Sequence, residues 1–208
     1  MLRTLLPGAP FLHGIQLNAD GWPTLDPALQ GNSAAITDLI CYGSRPRHNL
    51  TDATLHFYTD DYRWLHLAHN PDQLINRQPA QVIECNFSTG PDVPLAAAVA
   101  TLWYKRALAQ YWQREARIRI FIDLFIEPIL YATATQALPT GWKAFWTRFT
   151  SEAELNAEIT LARTIAAGAP LDFNVSGGGK AGKRAALTAG VNWHPLRHRN
   201  HNRITPHG

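Results

Sequence analysis

Apolar segments of strand length alternate with helical patterns along most of the chain. Two segments rich in aromatic and β-branched residues, 53–59 and 81–88, predict strands. The stretch 92–115 keeps apolar side chains at helical spacing and predicts a long helix. The next segment, 117–126, is almost wholly apolar in its centre and predicts a third strand.

The second half of the chain continues this alternation. Ser151 and Glu154 form a capping box at the start of a predicted helix, 151–167. A glycine run further on leads into a short helix that ends near Leu187. The remaining strand predictions are 142–149, 171–176 and, as a candidate last strand, 191–196.

Strand–helix repeats of this length predict right-handed βαβ units and therefore a parallel sheet. The pattern contains five or six strands, fewer than the eight of a closed barrel, which typically needs about 250 residues. We therefore predict an α/β protein with a mainly parallel sheet of five or six strands and βαβ crossovers. The sheet is either open or an incomplete (β/α) barrel.

The chain divides into three predicted parts. Residues 1–50 contain five prolines and five glycines and predict an irregular lead-in packed on the core, where only 29–42 could form a short helix. Residues 51–193 form the α/β core. Residues 194–208 form a basic tail rich in His and Arg.

Composition narrows the class of protein. Hydrophobic residues make up 46% and charged residues 17% of the 208 residues, as in globular proteins. Neither a signal peptide nor an apolar stretch of membrane-spanning length is visible, so we expect no membrane partner. Two cysteines, Cys41 and Cys85, are too few for a disulfide framework and favour a reducing compartment. We expect a soluble cytoplasmic protein.

Charge is distributed unevenly along the chain. Residues 1–176 carry 13 Lys or Arg against 16 Asp or Glu, a net −3, whereas 177–208 carry six basic residues and no acid, a net +6. A basic end of this kind is typical of contact with nucleic acid or phosphate, and the alternative is a solvated tail. Phosphate contacts from the tail would weaken steeply with salt. The tail arginines predicted to make such contacts are Arg197, Arg199 and Arg203.

Polar residues recur where the predicted strands end. In parallel α/β sheets, ligands bind at the carboxyl ends of the strands, so these side chains are expected to gather at one cleft. The residues at these ends are Asp60, Asp61, Arg63, Asn86, Ser88, Asp123, Arg148, Asn174, Ser176 and the glycines 177–179.

The glycine run SGGGKAGKRA, 176–185, is a candidate phosphate-binding loop. It nearly matches a nucleotide-hydrolase phosphate loop, but Arg184 stands where a Mg²⁺-binding hydroxyl is required and too little chain follows. Anion binding by glycine backbone N–H groups at a helix start needs no Mg²⁺. The alternative is a turn that lets strand and helix pack closely. The predicted phosphate-binding residues are Gly177, Gly178, Gly179, Lys180, Lys183 and Arg184.

The stretch FYTDDYRW, 57–64, places two carboxylates together at a strand end. A polymerase hairpin has this pattern, but it needs another carboxylate strand and far more chain. Asp60, Asp61, Glu84 and Asp123 could converge on one Mg²⁺ or Mn²⁺, with Asp60, Asp61 and Asp123 as catalytic residues. The alternative is structural: either adjacent Asp caps a helix or pairs with an arginine, and a buried Asp123 needs a partner.

Several motifs together resemble a known family. They are FYTDDYRW, ECNFST (84–89), DVP (92–94), YKRALAQYWQ (104–113) and GGGK (177–180). They resemble domain-of-unknown-function family 4417, uncharacterised proteins of bacteria, phages and plasmids, from about Leu55 to Gly179. The resemblance carries over to Asp60, Asp61, Tyr62, Arg63, Phe87, Ser88, Pro94 and Gln113.

Two departures from the family pattern concern the site. Asn86 replaces an acid, and Tyr104 lies two residues before Arg106 instead of three. The resemblance implies an association with mobile elements but no reaction.

Three functions follow as hypotheses. The first is a nucleic-acid- or phosphate-binding protein of a phage or plasmid. The second is a metal-dependent nuclease or hydrolase that uses the Asp cluster. The third is a structural or adaptor protein whose aromatic surface, drawn from seven tryptophans and other rings, binds a protein partner.

Overall fold

Seven strands form one parallel sheet in a computed structural model, which describes residues 10–43, 50–60, 64–87 and 92–196. Each strand pairs with the next one along the chain, in the order β1 to β7. Within the described residues β1 and β7 each have a single partner, so the sheet is open. The strands are β1 (Asp38–Cys41), β2 (Ala53–His56), β3 (Gln81–Ile83), β4 (Arg119–Asp123), β5 (Ala144–Arg148), β6 (Asp172–Ser176) and β7 (Asn192–His194).

Helices connect the successive strands from β2 onward, which confirms the predicted α/β architecture with a mainly parallel sheet. They are α1 (Asp72–Ile75), α2 (Leu95–Ala116), α3 (Tyr131–Gln136), α4 (Glu152–Ala166) and α5 (Gly179–Ala189). The predicted N-cap of α4 is present, because the Ser151 side chain accepts a hydrogen bond from Glu154 N. None of the helices in the described ranges is long and apolar enough to cross a membrane.

The sheet has one strand more than the upper number predicted. The additional strand, β1, lies in the lead-in, where the sequence indicates irregular structure or a short helix. Instead of that helix, 3₁₀ turns occur at Pro27–Leu29 and Ser33–Ala35, capped by the Asp26 and Asn32 side chains. A four-residue edge strand whose side chains are partly exposed gives no clear hydrophobic alternation, so it is hard to detect from sequence.

The main core lies between one face of the sheet and the helices. Alternate strand residues such as Leu55, Val82 and Phe145 point into it and are almost fully buried. Leu102 from α2 and Ile159 from α4 pack in the same cluster. Each such side chain contributes about 1.5–3 kcal/mol through burial.

The lead-in covers the other face of the sheet at the amino ends of the strands. Gly31 N donates to Ile120 O at 2.8 Å, and a Cβ on Gly31 would lie 2.5 Å from the Phe121 ring, so only glycine fits. Gln81 and Asp172 side chains accept backbone N–H groups of the lead-in at 2.7 Å. The lead-in thus occupies the amino edge.

Gln113, which the family resemblance singles out, holds the lead-in in place. Its Oε1 accepts from Asp26 N at 2.8 Å, and its Nε2 donates to the carbonyl oxygens of Asp26 and Leu29. Gln110 binds Gln16 in the same way. These glutamines have a structural role on the side of the sheet opposite to the strand ends.

Candidate binding site at the carboxyl ends of the strands

A cavity of about 480 Å³ opens where β2 to β5 end, and we call it the strand-end cavity. Asp60, Asn86 and Arg148, which the sequence predicts at this edge, all line it. They follow or end β2, β3 and β5, and the parallel order of the strands brings them together. Among the described residues, the lining is Tyr58, Thr59, Asp60, Asn86, Phe87, Phe125, Ile126, Glu127, Pro128, Tyr131, Arg148, Thr150, Glu154 and Glu158.

Aromatic rings form much of the cavity wall. Tyr58, Phe87, Phe125 and Tyr131 line it and remain partly exposed. The rings of Tyr58 and Phe125 meet edge to face, with centroids 6.5 Å apart. Phe87 is held by Trp64, whose ring centroid lies 4.6 Å away. Partly exposed rings of this kind can pack against a flat or apolar ligand.

The lining is rich in carboxyl groups. Burial raises the pKa of Tyr131 to about 12, and Glu158, Glu154 and Glu127 add to the rise, so these carboxyl groups lie around its phenol. Arg148 is the single Lys or Arg in the described lining. The carboxyl groups of the lining are Asp60, Glu127, Glu154 and Glu158.

Glu158 differs from the other carboxyl groups because only 4% of its surface is exposed. Burial raises the pKa of Glu158 to about 8, and the nearby Asp123 and Glu154 carboxylates add to the rise. No salt bridge among the described residues involves Glu158. Its carboxyl group is therefore protonated at neutral pH and can donate as well as accept a hydrogen bond.

Asp123, a predicted catalytic residue, lies beneath the cavity and does not line it. Its side chain is fully buried, and Tyr58 Oη donates to Oδ1 at 2.8 Å. Phe125 N also donates to Oδ1, and Lys105 Nζ donates to Oδ2 at 3.2 Å. Burial raises the pKa of Asp123, and Lys105 opposes that rise. The carboxylate thus has three donors and fixes the position of Tyr58.

The carboxylates of the metal hypothesis are not grouped in the described ranges. Glu84 is fully buried and forms an ion pair with Arg106, also fully buried, on α2. Asp61 lies outside the described residues. Across residues 10–43, 50–60, 64–87 and 92–196, no three or more His, Cys, Asp or Glu side chains are placed to hold one metal ion.

The glycine run forms a loop between β6 and α5, at the same edge of the sheet. Gly177, Gly178 and Gly179 have φ angles of 81°, 70° and 54°, in the left-handed region that favours glycine. A Cβ on Gly178 would collide with the Phe149 ring, and one on Gly182 would collide with Gly177 O. Close packing therefore requires Gly178 and Gly182. A Cβ on Gly179 would meet nothing within 4 Å, so packing does not explain that glycine.

This loop lies next to the strand-end cavity. Arg148 pairs with Ser176 in the sheet, and Phe149 N donates to Ser176 O at 2.9 Å. Arg148 at the end of β5 and Thr150 just after it line the cavity, while Gly177 follows Ser176 at the end of β6. Since neighbouring strands lie about 4.8 Å apart, the loop and the cavity rim are neighbours.

Basic side chains surround the start of α5. Lys180 is exposed, and the first turn of the helix contains no acid. Lys183 Nζ lies 5.7 Å from the centre of the Trp193 ring, and Arg184 forms an exposed 3.8 Å ion pair with Glu152. An exposed pair of this kind contributes little, about 0–1 kcal/mol, so Arg184 can exchange Glu152 for another anion.

Asn174 and Ser176, also predicted in the cleft, are fully buried and do not line the cavity. Asn174 Nδ2 donates to Asp172 Oδ1 at 3.0 Å, and its Oδ1 lies 3.0 Å from His194 Nε2. Ser176 Oγ accepts a hydrogen bond from Trp146 Nε1 at 2.6 Å. Both side chains are engaged within the sheet.

Six predicted site residues fall outside the described part of the chain. They are Asp61, Arg63, Ser88, Arg197, Arg199 and Arg203.

The sequence pattern did not predict that helices supply residues that line the strand-end cavity. Glu158 and Glu154 come from α4, and Tyr131 from α3. A signal for Glu158 was present, because it interrupts the apolar face that runs through Leu155 and Ala162. A carboxyl group at such a position must be paired, protonated or functional.

Comparison with known proteins finds a similar family. Residues 23–124, about half of the chain, match the profile of a family described as a domain of unknown function, DUF4417. The chain is thus similar to this family over residues 23–124. The DUF4417 match contains β1 to β4 and α2 but ends before α4 and the glycine loop.

One curated relative is a phage protein. The "Gene 1 protein" of Mycobacterium phage D29 is 34% identical over 76 residues, which is 34% of this chain and 28% of the phage protein. The match supports an association of this protein with phages. The match covers well under two thirds of the length of the phage protein. No solved structure matches the chain.

Proposed function

We propose that this protein binds nucleic acid of a phage or related mobile element, and that the glycine loop before α5 holds a phosphate. The observation that carries the proposal is the place of this loop. It opens at the carboxyl edge of the parallel sheet, beside the strand-end cavity, which is where α/β proteins bind ligands.

The loop has the chemistry that an anion needs. The first N–H groups of a helix have no partner within the helix, and the helix dipole favours negative charge there. Gly179 and Lys180 are exposed at the start of α5, and the first turn lacks acids that would repel phosphate. Lys183 and Arg184 lie one turn further along the same helix.

Nucleic acid is favoured over a free phosphate because the charge extends beyond the loop. The last 32 residues carry six basic side chains and no acid, whereas the remainder of the chain is net negative. Basic residues that continue along the sequence after a phosphate-binding loop suit a ligand with several phosphates. The similarity to a phage protein fits an association with phages.

The geometry favours binding over the metal-dependent hydrolase. Two of the four carboxylates that the hydrolase needs, Glu84 and Asp123, are engaged by Arg106 and Lys105. Asp60 is the member of that set that lines the cavity within the described residues.

The test is a salt-dependent titration of a labelled single-stranded oligonucleotide. We expect the combined substitution Lys180→Ala, Lys183→Ala and Arg184→Ala to weaken binding about tenfold at low salt. Loss of three phosphate contacts should also lower the slope of log affinity against log salt by about 2.

A matched control removes the same charge from the other edge. Arg119 begins β4, Lys143 precedes β5 and Arg163 lies near the end of α4, so all three are exposed near the amino ends of the strands. Their combined replacement by Ala should change affinity and slope much less. Equal losses in the two triple variants would mean that net charge, and not the loop, determines binding.

A further inference from the structure

We propose that the strand-end cavity receives one unstacked nucleobase with its sugar, and that Glu158 hydrogen-bonds the edge of the base. This inference rests on the proposed nucleic-acid binding and names what the cavity itself would recognise.

The size and walls of the cavity fit such a ligand. A volume of about 480 Å³ lies within the range of small-molecule sites, roughly 300–1,000 Å³. Tyr58, Phe87, Phe125 and Tyr131 supply partly exposed rings around it. Proteins that bind single strands stack bases on such rings.

The charges of the lining select the uncharged part of a nucleotide. Asp60, Glu127 and Glu154 would repel a phosphate inside the cavity, and Arg148 is the single Lys or Arg of the described lining. Carboxylates accept hydrogen bonds from sugar hydroxyls. A phosphate attached to the sugar is better placed outside, at the basic start of α5 beside the rim.

Glu158 supplies a specific contact for the base. Its side chain lines the cavity, is 4% exposed and forms no salt bridge among the described residues, so the carboxyl group is available to a ligand. A protonated carboxyl group offers one donor and one acceptor side by side. Adenine and cytosine present the complementary pair, a ring nitrogen acceptor next to an amino donor. Reading this edge by hydrogen bonds is how enzymes recognise bases taken out of the stack.

The surroundings of Glu158 keep it protonated. Asp123 from β4 and Glu154 from its own helix oppose its ionisation, and the phenols of Tyr58 and Tyr131 bring no positive charge. Arg148 also lines the cavity but does not lower the pKa of Glu158, which lies at about 8. Loss of this proton removes the donor and places a negative charge against the base nitrogen.

The test uses adenosine, which has no phosphate, and measures its affinity by calorimetry across pH. We expect wild-type protein to bind adenosine at neutral pH and to lose about tenfold in affinity per pH unit above about pH 8. Glu158→Gln keeps a donor and an acceptor at every pH, so it should bind adenosine with a flat pH profile. Glu158→Leu should lose binding. Glu115→Gln, an exposed acid at the far end of α2, should behave like wild type.

The outcomes separate this inference from the proposed function. Absence of adenosine binding while the oligonucleotide still binds would overturn the cavity proposal and leave the phosphate loop standing. A Glu158→Gln profile that falls with pH like wild type would also overturn it. The triple variant at Lys180, Lys183 and Arg184 should bind adenosine normally although it binds the oligonucleotide weakly.

Discussion

Glu158 is a carboxyl group in an environment that disfavours its charged form. It lies on the buried face of α4 with Leu155 and Ile159 near it in sequence, and no cation pairs with it among the described residues. The protein accommodates it by holding a proton on the carboxyl group. Asp123, which is fully buried, differs from Glu158 because Lys105 is its ion-pair partner.

This difference predicts how stability depends on pH. In the unfolded chain the Glu158 proton leaves near its ordinary pKa of 4.5, whereas in the folded protein it is held up to about pH 8. The proton bound to Glu158 therefore stabilises the folded protein fully below pH 4.5, and this stabilisation is lost as pH rises through about 8. The loss is about 1.4 kcal/mol per pH unit, or about 5 kcal/mol in total.

Glu158→Gln has no carboxyl group at this position that could ionise. The free energy of unfolding of this variant should therefore fall less than that of wild type as pH rises from 5 to 8.5. Urea denaturation across that range measures the difference, with Glu115→Gln as the exposed control. Curves for Glu158→Gln and wild type that stay parallel with pH would mean that Glu158 is ionised in the folded protein.

At the scale of elements, the loop before α5 combines two requirements that the sequence could not separate. The run GGGK was compatible with a phosphate loop and with a close turn between strand and helix. Gly178 and Gly182 satisfy the second requirement, because each leaves space for Phe149 or for the neighbouring backbone. Gly179 is exposed and unconstrained by neighbours, as a residue that presents its N–H group to an anion should be.

A pair of adjacent substitutions tests this distinction. Gly178→Ala and Gly179→Ala both place alanine at a left-handed φ, which costs about 1–2 kcal/mol. Gly178→Ala adds a collision with Phe149 and the Gly182 backbone, so we expect it to cost about 1–3 kcal/mol more. Chemical denaturation gives both values. Equal destabilisation would show that Phe149 moves freely and that close packing is not why glycine is needed at 178.

Most elements could be predicted from periodicity, and the exceptions share a cause. The strands from β2 to β7 and the helices α2, α4 and α5 lie within or close to their predicted ranges, since each carries a regular apolar pattern. The elements that were not predicted, β1, α1 and α3, are short and only partly buried. Short elements that are only partly buried show no clear apolar period, and tertiary contacts decide their conformation.

At the scale of the whole molecule, the order of the sheet determines where function can lie. Because all seven strands run in parallel and in sequence order, their carboxyl ends share one edge. The lead-in occupies the amino edge through Gly31 and its hydrogen bonds, whereas the strand-end cavity opens at the carboxyl edge. Asp60, Asn86 and Arg148 meet there.

The sequence could place residues at strand ends but not on helices above them. Glu158, Glu154 and Tyr131 join the strand-end cavity because α3 and α4 pack over it, which depends on long-range contacts. Conversely, Asn174 and Ser176 occur at the correct strand end, yet their side chains turn into the sheet and bind His194 and Trp146. The direction of a side chain at a strand end changes with each residue, so position alone does not decide exposure.

The central claim is that one edge of the sheet binds nucleic acid, with phosphate at the glycine loop and a base in the neighbouring cavity. Backbone amide chemical shifts, followed by NMR during titration with a single-stranded oligonucleotide, test it most directly. We predict that the largest changes occur at Asn86, Thr150, Gly179 and Lys180, with little change at Lys143 or Gly190 on the opposite edge. Changes concentrated at Lys143 and Gly190, or no changes at the glycine loop when the oligonucleotide is bound, would contradict the account.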